Sequence, residues 1–349
     1  MRPLKFLVLA VVVATSCSEP TPVGNGDSGT DAGGMDSGTD AGKSDSGFDA
    51  GADAGFDAGR DGGFDAGADA GFDGGVDAGL TTEQLALLAA RPYRMVVPPN
   101  YDGGASMPFV VLLHGYGATG AQQDLYFGLS ALGTSRGFLL ATPDGTLNIA
   151  SQRFWNATDA CCDFASSGVD DVKYLTAILD DVSLRYRVDP KRIFFMGHSN
   201  GGFMSHRMAC ELSPRIAGIM SLAGANWKDA GTCQPTQPLA VLQVHGTLDS
   251  VIAYAGGTTS FGGAVFPGAV ETMQAWAARM GCSSNQTSAG ADLNLDLLVG
   301  NETVRTQWAG CSDAGVAQLW TIQGGSHLPT FTSQWPDDAY DFLMAHPKP

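Results

Sequence analysis

Gly197-His198-Ser199-Asn200-Gly201-Gly202 follows the apolar run Arg192-Ile193-Phe194-Phe195-Met196 and precedes Phe203-Met204-Ser205-His206-Arg207-Met208-Ala209. The run reads as a buried strand and the later segment as a helix. A serine on a sharp strand-to-helix turn, with glycine two places before and after it, has the form of a nucleophile elbow. Gly197 and Gly201 lack the Cβ atoms that would clash in such a turn. The Ser199 hydroxyl is then lifted out of the sheet toward substrate.

Outward from this turn, further apolar runs recur at 93–97, 109–113, 137–141, 218–222, 240–244 and 318–322. Their continuous apolarity fits strands covered on both faces. Val172, Leu175, Leu179, Val182 and Tyr186 recur at three- and four-residue steps, which predicts a helix over 169–186 opened by Asp170 and Asp171. Residues 269–280 and 336–344 also read as helices. The pattern predicts one α/β domain over 83–349, a doubly wound and mostly parallel sheet. Ligands in such sheets bind beyond the carboxyl ends of the strands.

An unassisted hydroxyl is a poor nucleophile, so Ser199 needs a base. In sheets that carry this elbow the chain order is nucleophile, acid, histidine. His327, in Gly324-Gly325-Ser326-His327-Leu328-Pro329 after the last strand, is the candidate base. His114 and His245 end strands as His-Gly, a packing arrangement. His198 is expected to point away from the reaction, and His346 sits in the tail. Asp249, after the strand at 240–244, is the candidate acid, with Asp292 and Asp313 as weaker competitors. The oxyanion of an acyl-transfer intermediate wants backbone N–H donors. Asn200 and Tyr116, the latter in His114-Gly115-Tyr116-Gly117, are the candidates.

The ends of the chain carry other signals. Arg2, Lys5 and the apolar stretch Phe6 to Val13 predict a signal peptide over 1–16. Ala14-Thr15-Ser16-Cys17 resembles a lipobox, with Cys17 as the acylated residue. A secreted protein or a cell-surface or outer-membrane lipoprotein of a bacterium is expected, touching membrane only through that anchor. Residues 17–82 are rich in Asp, Gly and Ala, with aspartate at every fourth position from Asp45 to Asp77. Such a segment reads as an extended, solvated linker. A calcium-binding repeat is disfavoured by a period of four rather than nine. Most of the net charge of -17 lies here, and neither part offers the basic stripe that nucleic acid would need.

Besides Cys17, six cysteines remain: Cys161, Cys162, Cys210, Cys233, Cys282 and Cys311. An even count in an exported domain favours disulfides, and the lack of C-x-x-C spacing argues against zinc. Cys282 and Cys311 bracket one insertion and are expected to pair. Cys161 and Cys162 are each expected to reach one of Cys210 and Cys233, a vicinal bridge being the less favoured alternative.

The motifs VVLLHGYGATG (110–120), FWNATDACCDF (154–164), VDDVKYLTAILDDV (169–182), VDPKRIFFMGHSNGGFMSHRMAC (188–210), VLQVHGTLDSVIAY (241–254) and GGSH (324–327) together resemble the feruloyl esterase and polyhydroxybutyrate depolymerase family. The resemblance covers about residues 92 to 346. It implies an α/β-hydrolase fold, a Ser199-His327-Asp249 triad and no cofactor or metal, with Cys161, Cys162 and Cys210 matching the family's disulfide cysteines. Many members carry His-Thr-Trp-Pro where this chain has His327-Leu328-Pro329. The tryptophan that borders the acyl pocket is therefore missing, and Leu328 and Trp155 are the candidate pocket residues.

The resemblance implies a monomeric esterase acting on feruloyl or acetyl esters of plant polysaccharides, or alternatively on hydroxybutyrate oligomers. A non-catalytic binding protein on the same scaffold is disfavoured because no triad position is lost. A peptidase is disfavoured because residues 250–315 cannot hold a propeller.

Overall fold

The computed structural model describes residues 79–260, 262–313 and 315–349. The expected signal peptide, Cys17 and nearly all of the linker lie outside them. In chain order the elements are α1 (Thr82–Ala90), β1 (Arg94–Val96), β2 (Met107–Leu113), α2 (Gly120–Phe127), α3 (Leu129–Arg136), β3 (Leu139–Thr142), β4 (Thr146–Leu147), β5 (Arg153–Phe154), α4 (Asp171–Arg185), β6 (Val188–His198), α5 (Asn200–Glu211), β7 (Gly218–Leu222), β8 (Ala240–Gly246), β9 (Gly256–Thr259), β10 (Gly262–Pro267), α6 (Ala269–Arg279), β11 (Gln286–Ser288), β12 (Thr303–Trp308), β13 (Val316–Ile322) and α7 (Trp335–Ala345).

A nine-stranded sheet has the order β1-β3-β2-β6-β7-β8-β13-β12-β11. From β3 to β13 neighbouring strands are parallel, while β1 at one edge and β12 and β11 at the other run antiparallel. The fold is that of an α/β-hydrolase, with helices on both faces of the sheet. Strand alternation divides the core in two. Phe109, Val111 and Leu113 of β2 face one apolar cluster, shared with α4, α5 and α6. Val110 and Leu112 face the other, shared with α2, α3 and α7. Residues buried on both faces are what made these strands read as unbroken apolar runs.

α4 turns Tyr174, Leu175, Ile178, Leu179 and Val182 inward, and Asp170 caps it by accepting from Lys173 N at 3.0 Å. Asp171 is fully buried. Its carboxylate accepts from Arg91 Nη1 at 2.6 Å and from Asn156 N at 2.7 Å. Burial pushes its pKa up, against the pull of the Arg91 guanidinium. α1 is thereby fastened to α4, as it is through Lys173 and Glu83 at 2.8 Å.

Cys282 pairs with Cys311, the two ends of the insertion. The other four depart from the expected pairing: Cys161 bonds to Cys162 and Cys210 to Cys233. The turn at 158–162 explains this. Thr158 and Cys161 exchange backbone hydrogen bonds at 2.8 and 3.1 Å, and Cys162 N donates to Trp155 O at 3.3 Å. Both sulfurs are held there, Cys161 against the Asn200 amide, away from the last turn of α5 where Cys210 meets Cys233. No helix of the described residues is long and apolar enough to cross a membrane.

Candidate active site

β6 ends at His198 and α5 begins at Asn200, so Ser199 alone makes the turn. It does so at φ 53° and ψ −119°, a conformation that costs a non-glycine residue about 1–3 kcal/mol. The turn is this tight because the chain on either side has no room. A Cβ on Gly197 would lie 2.1 Å from Gly201 O, and one on Gly201 would lie 2.2 Å from Leu113 O. Ser199 N donates to Leu222 O at 2.8 Å, which ties the elbow to β7. Among the described residues Ser199 Oγ has no hydrogen-bond partner, so the hydroxyl can turn to a base or to an incoming carbonyl carbon.

Asp249 lies three residues beyond β8 and His327 five beyond β13. The two loops are laced together by Leu248 N to Gly325 O at 2.9 Å, Thr247 N to Ile322 O at 3.0 Å and Gly324 N to Thr247 Oγ1 at 2.8 Å. Gly246 permits this approach, since a Cβ there would lie 2.2 Å from Gly325 O. His327 Nδ1 meets Asp249 Oδ2 at 2.8 Å. Asp249 Oδ1 accepts from Val251 N and Ile252 N, both at 2.8 Å. His245 Nε2 stands 3.3 Å from Asp249 Oδ2. Burial alone would raise the Asp249 pKa, but hydrogen bonds from His245 and His327 hold it well below the usual carboxylate range. A carboxylate so placed fixes the imidazole tautomer and stabilises the imidazolium.

His198 does not turn away from this group. Its ring centroid is 4.8 Å from that of His327, and its Nε2 donates to His327 O at 2.9 Å. Burial pushes its pKa down to about 3, so it is a neutral prop rather than a second base. On the other side Tyr126 Oη donates to Pro329 O at 2.9 Å. The His327 loop is gripped at both ends. His198 and His245 both end parallel strands of the sheet, one residue before the elbow and four before Asp249, and this position was the available signal.

Asn200 is the first residue of α5, where backbone N–H groups lack intrahelical partners and the helix dipole favours negative charge. Its side chain is occupied elsewhere, accepting from Trp155 N at 2.7 Å and donating to Trp155 O at 2.9 Å. The Tyr116 loop is anchored by Gly117 N to Arg153 O at 2.8 Å. A Cβ on the neighbouring Gly115 would lie 3.5 Å from Ser199 Cβ, so this loop abuts the elbow.

Trp155 does not line a substrate pocket. It is 0% exposed, and its indole N–H donates to His114 O at 3.0 Å. The Asn200 amide grips its backbone and turns the ring inward, making it a brace beneath the elbow. Leu328 is 58% exposed beside His327. A cavity of about 580 Å³ is bordered by Asn156, Cys161, Phe164, Arg207 and Trp227. The Phe164 ring packs on Tyr116. A larger hollow of about 700 Å³ around Tyr101 and Arg187 lies at the amino-terminal ends of β2 and β6 and contains none of the candidate residues. Among the described residues no group of three or more His, Cys, Asp and Glu side chains is arranged to hold a metal ion.

An elbow serine at the carboxyl edge of a parallel sheet, with an Asp–His pair on neighbouring strand ends, defines an α/β-hydrolase. A family model described as Phospholipase/Carboxylesterase matches residues 165–261. Feruloyl esterase B of Piromyces equi is 27% identical over 236 residues, covering 66% of this chain and 41% of that protein. The chain thus spans less than half of that relative's length. Feruloyl esterase D of Neurospora crassa is 24% identical over 264 residues, covering 72% of this chain and 78% of that protein. The solved acetyl xylan esterase from Aspergillus awamori shares the fold at a TM-score of 0.52 and 15% identity, over 72% of this chain and 93% of that one. The chain is similar to these feruloyl esterases and shares the α/β-hydrolase fold.

Proposed function

We propose that the protein is a serine esterase that hydrolyses carboxylic esters through an acyl-enzyme. Ser199 Oγ attacks the ester carbonyl carbon as His327 Nε2 takes its proton. The oxyanion is held by the backbone N–H groups of Asn200 and Tyr116. The imidazolium returns the proton to the leaving alcohol, and water activated by the same histidine then frees the acid. The observation that carries this reading is the 2.8 Å Asp249–His327 bond, held beyond the ends of β8 and β13 at the same edge of the sheet as the strained Ser199 turn. Ser199→Ala should lower p-nitrophenyl acetate turnover by about three orders of magnitude or more and abolish labelling by a fluorophosphonate probe. Undiminished turnover in the variant would remove Ser199 from the mechanism. Absence of labelling in the wild type would favour a binding protein instead.

Feruloyl or acetyl esters on plant polysaccharide are the proposed substrate class. The names of the relatives support this, among them a bifunctional acetylxylan esterase/xylanase of Neocallimastix patriciarum that is 25% identical over 166 residues. Export is proposed from the leader sequence, with Cys17 as a lipid anchor and residues 83–349 as the catalytic domain, and three disulfides agree with an oxidising compartment. A second reading, hydrolysis of hydroxybutyrate oligomers, is favoured by one observation. Ile149, Leu248, Val251, Leu297, Val299 and Leu328 are all more than 40% exposed, on loops at the carboxyl ends of the strands. Such apolar side chains suit a polyester better than a polysaccharide. A panel of feruloyl, acetyl-xylan and hydroxybutyrate esters separates the two.

A further inference from the structure

Behind the Asp–His pair runs a line of buried polar side chains that reaches it at His245. Trp276 of α6, His206 of α5, and Gln243 and His245 of β8 are each at most 1% exposed. Their contacts are continuous. Trp276 Nε1 meets His206 Nδ1 at 3.0 Å, and His206 Nε2 meets Gln243 Oε1 at 2.9 Å. Gln243 Nε2 meets His245 Nδ1 at 3.2 Å. His245 Nε2 donates to Ile252 O at 2.8 Å and stands 3.3 Å from Asp249 Oδ2.

The direction of this line is forced at three separate points. An indole N–H can only donate, so His206 Nδ1 is bare and its proton sits on Nε2. A backbone carbonyl can only accept. Gly224 O, 2.9 Å from Gln243 Nε2, therefore fixes the amide nitrogen toward itself and turns the amide oxygen to His206. Ile252 O likewise requires the proton of His245 on Nε2, leaving Nδ1 to accept from Gln243. The three anchors agree, and both histidines are neutral donors through Nε2. Desolvation favours that state for His206, whose pKa burial pushes down to about 4.

We propose that these residues form a one-way donor relay, anchored at Trp276, that makes His245 a standing hydrogen-bond donor to Asp249 Oδ2 and so positions that oxygen for His327. The proposal rests on the esterase reading above for its kinetic consequence, but not for its geometry. With His245 in place, Asp249 has four donors on its two oxygens: two backbone N–H groups, His245 and His327. The His245 bond draws charge from the carboxylate, so the carboxylate stabilises the imidazolium less than it would alone. The other titratable groups around the pair are His198 against His327 and Tyr254, edge-on to His245 at 5.6 Å, with its hydroxyl on Thr321 of β13. His245 is a positioning residue, and a role in packing alone would not move the acid limb of the pH profile.

The test compares the full-length wild type with His245→Gln, His245→Phe and Trp276→Phe, using kcat/KM for p-nitrophenyl acetate across pH. The glutamine amide can donate from nearly the same place as His245 Nε2. Expected is an acid limb moved to higher pH by roughly half a unit to one unit in His245→Phe, a smaller move in Trp276→Phe, and no move in His245→Gln. An unmoved limb in an active His245→Phe overturns the proposal. A second measurement needs no variant. Nitrogen-15 NMR of the wild-type histidines near neutral pH should show His206 and His245 protonated on Nε2, and an Nδ1 proton on either overturns the relay. A wild type without esterase activity would sink the proposed function, while the tautomers of His206 and His245 would still decide for or against the relay.

Discussion

Asp249 accepts from two backbone N–H groups through one oxygen and from His327 through the other. An amide at this position cannot serve both sides, because one of its two heavy atoms donates. Asp249→Asn should therefore turn the His327 tautomer and lower kcat by about four orders of magnitude with little change in fold, read by steady-state kinetics beside circular dichroism. Ser199, Asp249 and His327 were legible in the sequence for a local reason. Each lies within a few residues of the end of an apolar run, and glycines mark where the backbone has no space. Trp155 was not legible in the same way. An aromatic residue in a loop faces in or out according to what grips it, and here the grip comes from Asn200, 45 residues away. The bond between Cys161 and Cys162 was missed for a related reason: it depends on the turn that Thr158 closes, not on spacing.

At the level of elements, the parallel strands announced themselves as unbroken apolar runs and α4 by its three- and four-residue apolar steps. α1 did not, since none of its residues is fully buried. β11 is exposed along its whole length, so it presents no apolar run. Yet α1 matters to the site. Arg91, at its carboxyl end, neutralises Asp171, and Asp171 in turn holds Asn156 N, next to the brace at Trp155. Removing residues 1–91 would take away Arg91, the ion-pair partner of the buried Asp171. The expected loss is about 3–5 kcal/mol, measured by urea unfolding.

Across the whole molecule, burial pushes the pKa values of His114, His198 and His206 down to about 4, 3 and 4. Unfolding returns them to ordinary values near 6.5, so between about pH 6.5 and 4 the unfolded chain binds more protons than the folded one. Stability is therefore greatest above about pH 6.5 and falls as the pH drops through this window, by up to about 1.4 kcal/mol per pH unit for each histidine. Asp249, whose folded pKa is depressed, adds its own loss only below about pH 4. Urea midpoints measured from pH 7 to pH 4 should decline steeply; a flat profile would mean these imidazoles are charged in the folded state. The sheet's polarity has one more effect. Ser199, Asp249 and His327 hang from a single rim, while the segments at 147–151, 250–268 and 289–302 reach that rim without supplying any of the three. Exchanging those segments between relatives should therefore redirect which ester is chosen while leaving the bond-breaking apparatus untouched.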